Sequence, residues 1–320
     1  MEGMSQLANL TFCLLRSRSG DIHFAVGEVR KDVALVAKLF LRTVDSPLSR
    51  SHSTYLGPYY SSTSTQSLKV QLTALVNALS KAQTDNTDAQ AMIRNIERWA
   101  DELYRTEGDL LLEAIKVKSQ FAFDMIMWIT GVTEILLAVS NSPACDHHRQ
   151  RELRNHARWL IATLAMIPDD KETVVFVENF RVTEELFEAA VTARNFDCDE
   201  IARDIEKMLL SWTFKAGRYQ TGWGVLDRGL AGLAVLALMG QVGAAQDLKN
   251  AIAAHLSGEQ APEQEIRNRA ARELMERAQN LRRPGHFSSS IEMAIAESDL
   301  EQMGPLMKEI AGLLSPVTIH

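Results

Sequence analysis

The stretch from Trp223 to Ser257, WGVLDRGLAGLAVLALMGQVGAAQDLKNAIAAHLS, constrains the fold more than any other. It reads as two helices back to back, joined by the glycine-bearing turn Gly240-Gln241-Val242-Gly243. Leu226, Leu230, Leu233, Ala234, Ala237 and Leu238 make the first helix apolar almost all round, which predicts burial on most of its sides. The second carries its apolar stripe at Leu248, Ile252, Ala253 and Leu256, with Asp247, Lys249 and Asn250 off it. A hairpin of this kind cannot hide its apolar face alone and needs helical neighbours.

The rest of the chain supplies them. At 320 residues there is enough sequence for a large core in one domain or two. Hydrophobic residues at 46% and charged residues at 23% are ordinary globular values and exclude global disorder. Ala25, Val29, Val33, Val36, Phe40 and Val44 recur at helical spacing until Pro47. Residues 46–67 have no periodicity and are rich in Ser, Thr and Tyr, which reads as a long surface loop, or alternatively as a partner-binding or phosphorylated segment. Helical stripes resume at Leu68–Leu79 and Met92–Leu103. Leu111, Ile115, Ala122, Met125, Ile129, Val132, Leu136 and Val139 then alternate steps of three and four, predicting one long helix with a kink at Gly131. Asn141, Ser142 and Pro143 end it.

Past that point the spacing predicts helix over Arg149–Ile167, with Asp146 as its cap, and a stop at Pro168. Val174–Val177 (VVFV) is the best strand candidate, yet it stands alone and is read as helix, because a lone strand has nothing to pair with. Thr183 is placed as the cap of Glu184–Asn195, and Asp197 with Glu200 as a capping box opening Ile201–Phe214. Pro262 opens a charged helix through Leu281, Ser288–Ser290 start another, and Ser298 with Glu301 again fits a capping box. Pro305 predicts a break or kink before Leu306–Leu314.

Three segments align from their ends: Glu188–Ser211, Val235–Ser257 and Glu292–Ser315. Each is a helix end, a polar or Gly turn, then a helix bearing an Ile (Ile205, Ile252, Ile310) and a Leu just before a closing Ser (Leu210, Leu256, Leu314). Closing serines fall about 45 to 70 residues apart, and the lower end suits HEAT- or armadillo-like units of roughly 40–47 residues. The expected fold is therefore all-α and built from antiparallel helix pairs. A helical bundle over residues 1–142 passes into an irregular HEAT/armadillo-like α-solenoid over residues 143–320.

Function is bounded mostly by exclusion. The net charge of -7 lacks the global basic footprint of a nucleic-acid binder. Cys13, Cys145 and Cys198 form no CxxC pair and no disulfide framework, which fits a reducing, cytoplasmic setting. No secretory signal is evident, and Met125–Val139 and Leu230–Ala245 fall short of the roughly 20 apolar residues a span needs, so no membrane span is expected. P-loop, dinucleotide, nucleophile-elbow and HExxH motifs are absent. Cys145-Asp146-His147-His148, with His156 further on, is a single clustered half-site and falls short of a zinc ligand set. No metal and no cofactor is expected.

Three candidate sites remain. Arg149, Arg151, Arg154 and Arg158 lie on one helix with Glu152 as its only acid, and Arg151, Arg154 and Arg158 share a face. Such a face docks an acidic partner, neutralises phosphates, or pairs internally with this acidic chain. Arg218, Tyr219 and Trp223 sit in or beside a glycine-rich loop, as a recognition patch or as packing beneath it. Arg282 and Arg283 precede a helix start at Ser288, which makes an anion site physically reasonable. The leading expectation is a non-enzymatic scaffold or regulatory subunit that binds another protein or itself through its helical surface. The alternatives are a nucleic-acid-binding accessory protein using the Arg149–Arg158 face, and an enzyme with a scattered site including His147, His148 and Arg218.

Overall fold

A computed structural model of the chain describes residues 111–112, 115–118, 121–142, 145–179, 181–219, 224–280 and 289–315. Of these, 82% are helical and none forms a strand, so VVFV is helix, as its isolation demands. The elements are α1 (Phe121–Ser140), α2 (His147–Ala162) with a 3-10 continuation (Thr163–Met166), and α3 (Lys171–Glu178). They continue with α4 (Val182–Asn195), α5 (Asp199–Arg218), α6 (Val225–Met239), α7 (Ala244–Ser257), α8 (Gln264–Asn280), α9 (Ser290–Glu297) and α10 (Leu300–Leu314). Two compact units divide them: one reaches Met166 and adds Asn195–Ile201, and the other takes Ile167–Arg194 and resumes at Ala202. The N-terminal stripes and the loop at 46–67 lie outside the described residues.

In the first unit α1 packs along α2. Six residues of the predicted seam, Leu111, Ile115, Ala122, Ile129, Leu136 and Val139, are buried, while Met125 and Val132 lie outside the residues whose side chains are described. The seam does not lie on one helix. Lys118 adopts a left-handed φ of 49°, its amide bonds to the Ile115 carbonyl at 2.9 Å, and α1 starts only at Phe121. A left-handed lysine breaks the ladder that apolar spacing alone would continue. From there α1 runs unbroken through Gly131, with Thr130 and Thr133 donating to the carbonyls of Ile126 and Ile129.

The second unit is built around α6. That helix contacts α7, α8, α9 and α10, and from Val225 to Leu236 every residue but Arg228 is buried. This is the burial that its apolar circumference predicts. Gly232 brings it close to its neighbours: a Cβ there would stand 3.0 Å from the Phe187 ring of α4 and 3.2 Å from Ile291 of α9. The turn to α7 falls where predicted, with Gly243 at φ 99° supplying a conformation few other residues adopt. In α7, Leu248 and Ile252 are buried and Leu256 is half-buried, but Ala253 is exposed. Ile205, Ile252 and Ile310 are all fully buried.

Several helix starts differ from the sequence reading. Asp146 caps α2, accepting the Arg149 amide at 2.9 Å, and Ser289 caps α9 by accepting from Glu292. Thr183, however, is inside α4: the Arg181 carbonyl accepts the amides of Glu184 and Glu185, so Arg181, at φ 57°, is the boundary. Asp197 also takes a left-handed φ, of 52°, which places it in the turn before α5 and out of a capping box. Asp299 rather than Ser298 caps α10, while the Ser298 hydroxyl donates back to Ile295 at the end of α9. Pro305 breaks nothing; α10 continues through it from Leu300 to Leu314.

Candidate functional site

The arginine helix α2 buries Leu153, His156, Ala157, Leu160 and Ile161. Its four arginines behave differently. Arg149 faces Asp146 at 3.8 Å, and the Arg149 amide holds the Asp146 carboxyl below its ordinary range. Arg154 donates to Ser140 Oγ at 3.3 Å. Arg158 approaches Glu200 at 3.4 Å. Arg151 is exposed. Internal pairing therefore engages much of the face, an outcome the acidic composition allows. What the periodicity did not single out is the far end of this helix. Trp159 is 42% exposed and Met166 54% exposed, with Ala162 exposed between them. The Trp159 ring lies 5.5 Å from that of His156.

The cysteine–histidine cluster beside α2 shows no ligand geometry. Cys145 is buried, whereas Asp146, His147 and His148 are exposed. Among the described residues no three His, Cys, Asp or Glu side chains come together in a way that holds a metal ion. Cys145 and Cys198 are both buried and unbridged, and burial pushes the Cys198 thiol up.

In the second unit, Arg218 and Tyr219 are brought together at the end of α5, on a residue the sequence did not flag. Arg218 pairs with Asp169 at 3.4 Å and donates to Gln260 at 3.3 Å. The Tyr219 hydroxyl donates to the Asp169 carbonyl at 3.3 Å, and the Arg218 guanidinium lies 5.1 Å from the Tyr219 ring. One turn earlier, Lys215 donates to the Ile167 carbonyl at 2.9 Å, and burial lowers its pKa. Arginine, lysine and tyrosine thus clamp the Ile167–Asp169 segment. Asp170 follows as the cap of α3, accepting from Thr173. The cue was present: an acidic pair after Pro168 supplies one cap and one ion-pair partner. Trp223, and Arg282, Arg283 and Ser288 of the proposed anion loop, lie outside the described residues.

The second unit also holds buried acids that the sequence reading did not single out. Glu184 of α4 is buried, accepts the Ile291 amide of α9 at 3.3 Å and faces Arg228 of α6 at 3.8 Å. Glu188, one turn on, accepts the Ser290 hydroxyl. Asp227 is buried against Arg277 of α8 at 3.1 Å, and Arg277 also reaches Glu292 of α9 at 3.4 Å. The Trp212 indole donates to Glu178 at 2.6 Å. Burial pushes Glu178 up to about 7, burial and then the Glu188 charge push Glu184 up to about 7, and burial raises Asp227 to about 6 against the pull of Arg277. These carboxylates tie α4, α6, α8 and α9 together. Each has a structural partner, so the network positions helices.

No protein-family model matches the chain, and neither a curated protein nor a solved structure matches it. No described helix is long and apolar enough to cross a membrane.

Proposed function

We propose that this chain is a non-enzymatic helical scaffold or regulatory subunit that binds a protein partner, or a second copy of itself, through an outer helical surface. Stacked helix pairs of HEAT or armadillo type would present that surface. The three aligned segments support this reading, since each puts a buried isoleucine on the second helix of a pair.

The observation that carries it is the exposure of Trp159 on the helix bearing the arginines and of Met166 at the end of its 3-10 continuation. Trp and Arg are enriched among the residues that carry the energy of protein interfaces. The nucleic-acid alternative stands second, because Arg149 and Arg158 already face Asp146 and Glu200.

The test compares the wild-type chain with a Trp159→Glu, Met166→Glu variant by light scattering and by affinity capture from the native host. The expected result is an assembly, with itself or with a stoichiometric partner, that the variant loses while its circular dichroism stays the same. A strictly monomeric wild-type chain that captures nothing overturns the reading.

A further inference from the structure

We propose that α9 is a proton-operated latch: its first turn stays docked on Glu184 and Glu188 of α4 while protons neutralise that carboxyl pair, and it detaches as they leave. The device is independent of any partner for the α2 surface.

The first turn of α9 is held by acids. The Ile291 amide donates to Glu184 Oε2 at 3.3 Å, and the Ser290 hydroxyl donates to Glu188. Behind them Ile291, Met293, Ala294 and Ile295 are buried, with Ile291 seated over Gly232 of α6. α9 has 8 residues, and isolated helices this short are unstable in water. Its helical state therefore depends on docking, and docking depends on the carboxyl groups beneath it.

Glu184 is poorly placed to stay charged. It is 5% exposed, its Oε1 has no hydrogen-bond donor, and Arg228 of α6 stops 3.8 Å from that oxygen. The other ionisable groups facing it are acids: Glu188 one turn on, and Glu178 at the end of α3. From α9 it meets Ser289 and the Ile291 amide. Arg277 of α8 is committed to Asp227 and Glu292. Burial, and then the Glu188 charge, outweigh the pull of Arg228 and of the Ile291 amide and push Glu184 up to about 7. Once α9 lifts, water reaches the carboxyl and it returns toward its ordinary value of 4.5. The docked form thus holds a proton that the open form gives up. Docking weakens as pH rises from the ordinary value to about 7. Opening uncovers Gly232 and the Phe187 ring, which Ile291 covers when docked.

Hydrogen exchange of the full chain, read by mass spectrometry and corrected for the pH dependence of intrinsic exchange, tests this. Protection of the Ser290–Glu297 amides should fall roughly tenfold between about pH 6 and about pH 8. Sub-denaturing urea should leave that exchange unchanged at about pH 8, because a local opening exposes little surface. Glu184→Gln keeps an oxygen for the Ile291 amide and has no proton to lose, so the pH difference should disappear from α9. Glu188→Gln removes the neighbouring charge and should shrink the difference, which keeps the test open should Glu184→Gln fail to fold. Equal protection at both pH values overturns the proposal. So does a loss of protection that grows with urea, which is unfolding of the whole unit, or a pH difference that survives in full in both variants.

Discussion

A Cβ on Gly229 would stand 2.3 Å from the Thr213 hydroxyl and 2.6 Å from its methyl group. Helix α6 therefore crosses α5 at a separation that leaves room for a hydrogen and nothing larger. Thr213 is fully buried and branched at Cβ, so rotating one branch away brings the other in. Gly229→Ala gains helix propensity of about 1 kcal/mol but overpacks this crossing, at a cost of about 1–3 kcal/mol. The expected net effect is a lower urea midpoint, and Gly229→Ala with Thr213→Ser should recover part of the loss. A variant as stable as wild type would mean the helices part freely.

The opposite sign is expected at Gly312 in α10. Nothing lies within 4 Å of a Cβ built there, and its helix runs from Leu300 to Leu314. Gly312→Ala should therefore raise stability by about 0.5–1 kcal/mol, through the conformational entropy glycine loses on folding. Denaturant titration of the two alanine variants side by side reads both signs.

Stability should depend on pH through the buried acids. Glu178 and Glu184 titrate at about 7 and Asp227 at about 6 in the folded chain, above their ordinary values, because burial disfavours the charged carboxylate. The native state thus binds more protons than the unfolded state across the window between ordinary and raised values. Stability rises as pH falls through that window and is lower at alkaline pH. His255 acts against this at the acid end, since burial holds its imidazole below the ordinary range and its charging favours the unfolded chain. The urea midpoint should be higher at about pH 6 than at about pH 8. Glu178→Gln keeps an oxygen for the Trp212 indole, and Glu184→Gln keeps one for the Ile291 amide. Each should flatten the profile, and an unaltered profile in both would remove these two acids as its cause.

These acids also show where the sequence stopped being legible. α6 announced its own burial because its apolar residues cover all its faces, and the 240–243 turn announced itself through glycine. Asp146 and Ser289 sit at helix starts in the pattern a cap requires. Glu184, Glu185 and Asp227 gave no such sign. An acid on a helix looks like solvated surface until an amide from another helix, or an arginine such as Arg277 fifty residues on, is seen to meet it. Lys118, Arg181 and Asp197 break or delay helices by left-handed backbone, and none is glycine, so composition carried no warning. At the candidate site the arginines of α2 were legible by spacing. Trp159 lies off the Leu153, Ala157, Leu160 and Ile161 stripe, so its exposure follows from spacing that the sequence reading did not apply to it.

The Asp227–Arg277 pair gives the most direct test of that network. Asp227 is buried, while Arg277 is only partly so and bridges to Glu292. Removing the arginine strands a buried carboxylate, and such losses cost roughly 3–5 kcal/mol; partial exposure of Arg277 argues for the lower end, about 3 kcal/mol. Arg277→Met should therefore destabilise strongly at alkaline pH and less at acid pH, where Asp227 takes up a proton. Removing both charges, as Asp227→Leu with Arg277→Met, leaves no stranded carboxylate and should return most of the stability. Urea titrations of the two single variants and the double isolate the coupling. If the double variant is as unstable as Arg277→Met alone, the loss comes from packing of the arginine stem, and the ion pair does not hold α8 against α6.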